Sequence, residues 1–263
     1  MSEETSIQVN FGRPTALFPL DAVTLLPQQL LPLHIFEERY RQMIDHALDG
    51  SGQIAMAILE PQPTSKDKFG RPGIKPAVCV GQIVQHEKLF DGRYNLLIQG
   101  VCRARVLEEL PPEEGRLYRM AMLEPVGLDP GTMVVGDEDD EEEEGEEETP
   151  DLGLNLPMQE PAALSAVRER IGEMLSEGPL TQLVAAEPVL EFVRNQEVPV
   201  GPLLELVSFM LITDPALRYK LLAEPDMEAR AGLIMGELEH LSHLIKRAGS
   251  QRPQDWPKGM SWN

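Results

Sequence analysis

The stretch LFPLDAVTLLPQQLLPLHIFEERY, residues 17–40, sets how the rest of the chain is read. Two short apolar runs, residues 16–20 and 23–26, carry strand-compatible side chains and are punctuated by Pro19 and Pro27, which limits each to a few residues. Pro32 then precedes Leu33, His34, Ile35 and Phe36, and from Glu37 the pattern turns helical, with Phe36, Tyr40, Met43, Ala47 and Leu48 on one face. The expected order is strand, strand, loop, helix.

Downstream, residues 54–59 form a nearly continuous apolar run, expected as a strand in the interior of a sheet or barrel. Residues 64–75, TSKDKFGRPGIK, carry Lys66, Lys68, Arg71 and Lys75 against Asp67. They read as a polar loop of local positive charge, either a solvated hairpin tip or a place to hold an acidic peptide or phosphate. Residues 77–89 have strand composition, and Asp91-Gly92 tolerates the positive φ of a tight two-residue turn, so the runs on either side should pair antiparallel. Tyr94, Leu96 and Ile98 alternate with Asn95, Leu97 and Gln99, and the isolated Gly100 marks a bend or bulge before the alternation resumes through Val106. Residues 118–126 close the strand-rich part.

These quoted motifs, FPL, LLP and LPLHIFEERYRQM, resemble the opening of the amino-terminal, substrate-binding domain of Lon proteases. The similarity continues through IAMAILE at 54–60, VGQIVQHEKLFDGRYNLLIQGVCRARV at 80–106 and YKLLAEPDMEARAGLIMGEL at 219–238. The resemblance implies an α+β chain: a small PUA-like β-barrel with one early helix, followed by an α-helical bundle. It also implies a role in holding protein substrates. A Lon protease further needs an ATPase module with GxxxxGK[ST] and a protease module with a Ser nucleophile and a Lys base. Neither motif occurs in these 263 residues, so no enzymatic activity is expected of this chain.

Composition narrows the partners. The formal net charge is −21, and residues 137–148 supply eleven of the acidic side chains, leaving −10 for the rest. Such a field repels nucleic acid, whose binding draws on Lys and Arg contacts to phosphate. No run approaches the roughly 18 to 20 apolar residues of a spanning helix, and the first residues lack a basic segment followed by an apolar one, so a cytoplasmic protein without membrane contact is expected. Cys79 and Cys102 are too few for a disulfide framework or a four-ligand zinc site and read as buried free thiols.

Four regions are expected: a barrel subdomain over 1–128, an acidic linker or loop over 129–160, a helical subdomain over 161–249, and an irregular tail over 250–263. The acidic centre holds too little apolar surface to offset the entropy of ordering. In the helical part, Leu164, Val167, Ile171, Met174 and Leu175 share a face. A second helix is expected from Pro179, carrying Leu183, Val184, Leu190 and Val193 and broken or bent at Pro188. Residues 202–213 read as a buried helix, and Asp214-Pro215 as the cap and first turn of a short one. The longest helix should follow Asp226, with Met227, Ala231, Ile234, Leu238, Leu241 and Ile245 as its apolar seam. The tail holds both tryptophans, Trp256 and Trp262, and Trp256 is expected to dock on this chain or on a partner.

Glu237, His240 and His243 stand three apart, but no second Glu-x-x-His accompanies them, so a polar stripe is expected and no metal or cofactor. His34 reads as a structural hydrogen-bonding residue, Glu37 and Arg39 as a surface ion pair. The leading expectation is a non-catalytic module that binds unfolded or apolar protein segments and works with a protease or chaperone. Its candidate residues are Leu33, Phe36, Arg39 and Tyr40 together with Lys66, Lys68, Phe69 and Arg71. The alternative is an RNA-binding PUA-like module, for which the 64–75 loop is the only support.

Overall fold

The computed structural model describes residues 7–60, 69–127, 133–135 and 162–250. The described residues up to 135, with residues 214–227, form one compact unit; residues 162–213 and 228–250 form another.

The first unit is organised along one strand. β6 (Tyr94–Glu109) is 16 residues long and pairs antiparallel with β5 (Ala77–Lys88) over most of its length. Its opposite edge is shared. The first half, from Tyr94 to Gln99, pairs with β3 (Leu30–Ile35), and the second half, from Ala104 to Glu109, pairs with β7 (Arg119–Pro125). β4 (Gln53–Ile58) continues from β5, and β2 (Thr15–Leu20) lies parallel to β4 and antiparallel to β7. The pairings of β6, β5, β4, β2 and β7 therefore close a five-stranded barrel, with β3 hung outside the closure. β1 (Gln8–Asn10) pairs parallel with β8 (Met133–Val135).

Alternation sorts the side chains by size. Leu17, Ala55, Ala57, Val78, Val80, Cys102, Ala104 and Ala121 form one cluster, mostly of small residues. The opposite face carries Phe18, Ile54, Met56, Ile98 and Leu96, packed with Tyr40, Met43 and Ile44 of α1 (Glu38–Leu48) and Leu222 of α5 (Pro215–Ala223). Helices cannot enter a barrel this narrow, so the small residues fill its interior and the large ones bind the helices outside. Cys79 and Cys102 are both buried, in different clusters, and Cys79 Sγ donates to Val80 O (3.5 Å).

Gly100 is where β6 changes partner. A Cβ there would stand 2.1 Å from the Leu26 carbonyl oxygen, so only glycine admits the segment that crosses it. That segment, residues 23–26, is not the expected strand. It is irregular and largely buried, and the turn that follows it is bonded to Gly100: Gln28 N–H donates to Gly100 O (2.9 Å) and Gly100 N–H to Gln29 O (2.9 Å), while Leu26 N–H donates to the Gln29 Oε1 (3.0 Å). The expected loop after it is instead β3, which accommodates Pro32 because β3 is an edge strand and needs no donor on its open side. The bulge lies at Val101, beside Gly100, and a second falls at Val84. The β5–β6 turn also differs: Leu89 and Arg93 close it (Leu89 N–H to Arg93 O, 2.8 Å), leaving three residues with Gly92 at φ +81° rather than two.

α1 begins after Glu37, so Phe36 lies outside it, and Ile44 joins the buried face in its stead. α5 starts where Asp214-Pro215 predicts, the Asp214 carboxylate accepting from the N–H groups of Ala216 and Leu217. Its last turn is met by Arg103, almost wholly buried on β6, whose Nε donates to Leu221 O at 3.2 Å; a cation there also complements the helix dipole.

The second unit packs α2 (Ala162–Ser176), α3 (Ala186–Arg194) and α4 (Val200–Leu211) on one another. The helix expected from Pro179 is a single 3-10 turn, Pro179–Gln182, and α3 begins only at Ala186. Pro188 thus falls in the first turn of α3, where its missing N–H has no helical acceptor to lose. Arg168 donates to the carbonyls of Val193 (3.2 Å), Asn195 (3.1 Å) and Val198 beyond the end of α3. α6 (Met227–Ser250) is tied to α4 by the buried pair Arg230 and Glu205, 3.7 Å apart. The acidic run and the tail with Trp256 and Trp262 lie outside the described residues.

Two predictions follow from this packing. Gly100→Ala should destabilise the chain by about 3 kcal/mol, because the clash is with backbone that has nowhere to move. Gly232→Ala, on an open face of α6, should stabilise by about 0.5–1 kcal/mol; equal effects of the two in urea denaturation would contradict the crossing. The second concerns Asp45 of α1, which accepts from Lys88 Nζ (2.7 Å) and the Tyr94 hydroxyl. Burial raises its pKa, but these hydrogen bonds outweigh burial and hold the carboxyl below its usual range. A folded pKa below the unfolded one gives stability that is full above the unfolded value and lost as pH falls through the folded one. The difference in Tm between wild type and Asp45→Asn should therefore close between about pH 5 and about pH 2. A gap that stays constant over that range would show that Asp45 contributes no charge-dependent stability.

Candidate functional site

β3 and the β5–β6 hairpin end at the same side of the sheet, since Ile35 pairs with Tyr94 and Lys88 with Tyr94. Residues 31, 33 and 35 of β3 turn toward the α1-covered core, and Leu33 is accordingly half-buried there. The next residue, Phe36, leaves the sheet before Glu37 begins the helix in extended conformation, and is 63% exposed. Phe90 occupies the first of the three turn residues and is fully exposed. Sequence reasoning did not single it out; the signal was a large aromatic directly before the Asp-Gly turn pair.

The scaffold under these rings is fixed by paired charges. Asp91 accepts from Arg93 N–H (3.1 Å) and Arg93 Nε (2.7 Å), and those bonds, the backbone one foremost, hold its carboxyl below the usual range. Arg41 of α1 donates to Asp91 O at 3.3 Å, tying the turn to the helix. His34 Nε2 faces Arg93 Nη1 at 3.3 Å. A guanidinium can only donate, so Nε2 accepts and Nδ1 carries the proton it gives to Asn95 Oδ1 (2.8 Å), while Asn95 Nδ2 donates to Glu87 (3.0 Å). His34 thus has the hydrogen-bonding role its sequence context suggests. Arg39 pairs with Glu37 at 2.8 Å and lies over the Tyr40 ring at 4.4 Å.

Of the other candidates, Tyr40 faces the core. Its hydroxyl donates to Pro19 O (3.2 Å), its ring meets Phe18 edge-on at 4.4 Å, and burial, only partly opposed by Arg39, pushes the hydroxyl above its usual range. Phe69 and Arg71 belong to the far end of β6. There Glu109 receives Arg119 through two bonds (Nε 2.8 Å, Nη2 2.6 Å) and Arg71 at 3.1 Å, with the Arg71 guanidinium 4.8 Å from the Phe69 ring centre. Such bidentate, partly buried pairing is structural in character. Lys75 stands over the Tyr219 ring at 4.3 Å. Lys66 and Lys68 lie outside the described residues. The structure therefore brings Leu33, Phe36, Arg39 and Tyr40 to one end and Phe69 and Arg71 to another.

Among the described residues no group of three or more His, Cys, Asp or Glu is arranged to hold a metal ion, Glu237, His240 and His243 included. No helix among them is long and apolar enough to cross a membrane. The Phe36 and Phe90 end pairs no nucleophile with a base; what it offers a ligand is aromatic surface framed by neutralised charges.

Known proteins bear on this geometry. The family model described as the ATP-dependent protease La (LON) substrate-binding domain matches residues 15–240. The Lon protease of Trichlorobacter lovleyi is 32% identical over 118 residues, covering 43% of this chain and 14% of that protein. The Lon protease of Campylobacter concisus is 29% identical over 106 residues, covering 39% and 13%. The aligned part is thus a small fraction of the length of these relatives. In fold, the chain is similar to the N-terminal domain of the Mycobacterium avium complex Lon protease, with a TM-score of 0.57 over 86% of this chain and 98% of that one at 14% identity. With most of its length matched by one family model, this chain belongs to the ATP-dependent protease La (LON) substrate-binding domain family.

Proposed function

We propose that this chain is a non-catalytic binding module that captures unfolded or apolar protein segments in the cytoplasm, and that Phe36 and Phe90 are its principal contacts, with Leu33 and Arg39 at their border. The observation that carries the reading is the exposure of two phenylalanines on a scaffold held by Arg41, Asp91 and Arg93, in a chain of the Lon substrate-binding family. Large exposed aromatics on a fixed scaffold favour binding because little conformational entropy is lost when they are covered.

Recognition runs through side chains. Although β3 leaves an edge open to an added strand, Pro32 at its centre removes a backbone donor and weakens strand addition. The charges beside the rings are paired as Arg39 with Glu37 and Arg93 with Asp91, so apolar segments fit better than strongly charged ones. The RNA reading has lost support, since Arg71 is bound to Glu109 and Lys75 covers Tyr219. Capture would precede transfer to a separate protease or chaperone.

The test is fluorescence anisotropy with a permanently unfolded, reduced and carboxymethylated polypeptide, with and without ATP. Binding should saturate, be indifferent to ATP, and weaken roughly 10-fold for Phe36→Ser or Phe90→Ser and further for the double variant. Unaltered affinity in the double variant would move the site elsewhere. Absence of polypeptide binding together with salt-sensitive RNA binding would overturn the reading.

A further inference from the structure

We propose that His34 is a pH-sensitive latch across the binding end: its neutral imidazole ties the end of β3, where Phe36 stands, to the turn that carries Phe90, and proton uptake releases the tie and weakens polypeptide capture. This rests on the reading of Phe36 and Phe90 as the client contacts and adds a regulation to it. Histidine is the side chain whose charge ordinarily changes between about pH 5 and 8. His34 is exposed on β3, so a proton reaches it without rearrangement of the sheet. Its two ring nitrogens bridge separate elements. Nδ1 donates to Asn95 of β6 (2.8 Å), and Nε2 accepts from Arg93, the residue that closes the turn (3.3 Å). Register keeps the group together, since Asn95 pairs with His34 across one ladder and with Glu87 across the other.

The acceptor at Nε2 exists only in the neutral ring. In the protonated ring both nitrogens donate, and Nε2–H then faces a guanidinium that can also only donate. The bond is lost, and two like charges stand where it was. The other charged groups act at one remove. On the sheet, Asn95 stands between His34 and Glu87, whose carboxylate accepts from Asn95 Nδ2 (3.0 Å). In the turn, Arg93 stands between His34 and Asp91, and the Asp91 carboxyl, held below its usual range, stays ionised throughout the histidine window. Beyond β3, Glu37 is paired with Arg39. The Asp91 and Arg93 pair therefore survives proton uptake, and the turn keeps its shape while losing its side-chain tie to β3. A second effect acts in the same direction. The Phe36 ring lies 6.5 Å from the imidazole and nearly parallel to it (27°), so an apolar segment covering Phe36 would have to strip water from the new charge.

The full chain tests this through two readouts between about pH 7.5 and about pH 5.5. In the free protein, the backbone amide NMR signals of residues 90–93 should titrate over that range, and should cease to do so in His34→Gln, which cannot gain a charge. In anisotropy with the carboxymethylated polypeptide, wild-type affinity should fall several-fold as the pH drops, and His34→Gln affinity far less; the shared client cancels any titration of its own. His46→Gln, which removes a ring bonded to Tyr118 instead, should respond as wild type does. The latch is overturned if the signals of residues 90–93 titrate alike in wild type and His34→Gln, if wild-type affinity is level over the range, or if His46→Gln abolishes the response. Polypeptide binding absent at both pH values would refute the binding reading instead, and the amide titration of the free protein would still decide the latch.

Discussion

One strand has to serve two neighbours along a single edge, and the first unit depends on how it does so. β6 gives its first half to β3 and its second half to β7, and between them the backbone of Leu26 crosses Gly100 where no Cβ would fit. The switch has two consequences. Beyond Gly100 the sheet can close through β7 into a barrel narrow enough for Ala, Val and Cys to fill. Before it, β3, β6 and the end of β5 project as an open three-stranded extension, backed by α1 and ending in the turn that carries Phe90. The exposed aromatic end exists because this part of β6 is outside the closure.

Charge is used differently at the two ends of that strand. At Glu109, two guanidiniums converge on one partly buried carboxylate and hold residues 69–75 against the barrel mouth. At the turn, Asp91 and Arg93 satisfy each other in solvent and serve to fix the loop, a role in which exposed pairs contribute geometry more than energy. Both arrangements hold backbone in place, in a chain of the Lon substrate-binding family.

Much of the fold was legible because its signals were local. Asp91-Gly92 marked the hairpin, the period-2 run after it marked β6, Gly100 marked a bulge, and Asp214-Pro215 marked the start of α5. The errors came where long-range pairing decides. Residues 23–26 have strand composition, yet they join no ladder, and it is the turn after them, at Gln28 and Gln29, that bonds to Gly100. Pro32 suggested a loop because sequence alone does not show that β3 is an edge strand. The candidate site was half-legible for a related reason. Phe36 and Arg39 were named from their motif, but Phe90, 54 residues on, joins that end only through the register of β6. Arg71 looked like a free cation until Glu109 was brought to it across 38 residues.

Hydrogen exchange of the full chain, with and without a saturating unfolded polypeptide, tests the central claim most directly. Slower exchange should appear in peptides covering residues 33–37 and 89–93, with the barrel strands β4 and β7 unchanged. Protection confined to other segments, with those two unaltered while polypeptide is bound, would contradict the assignment of binding to the Phe36 and Phe90 end.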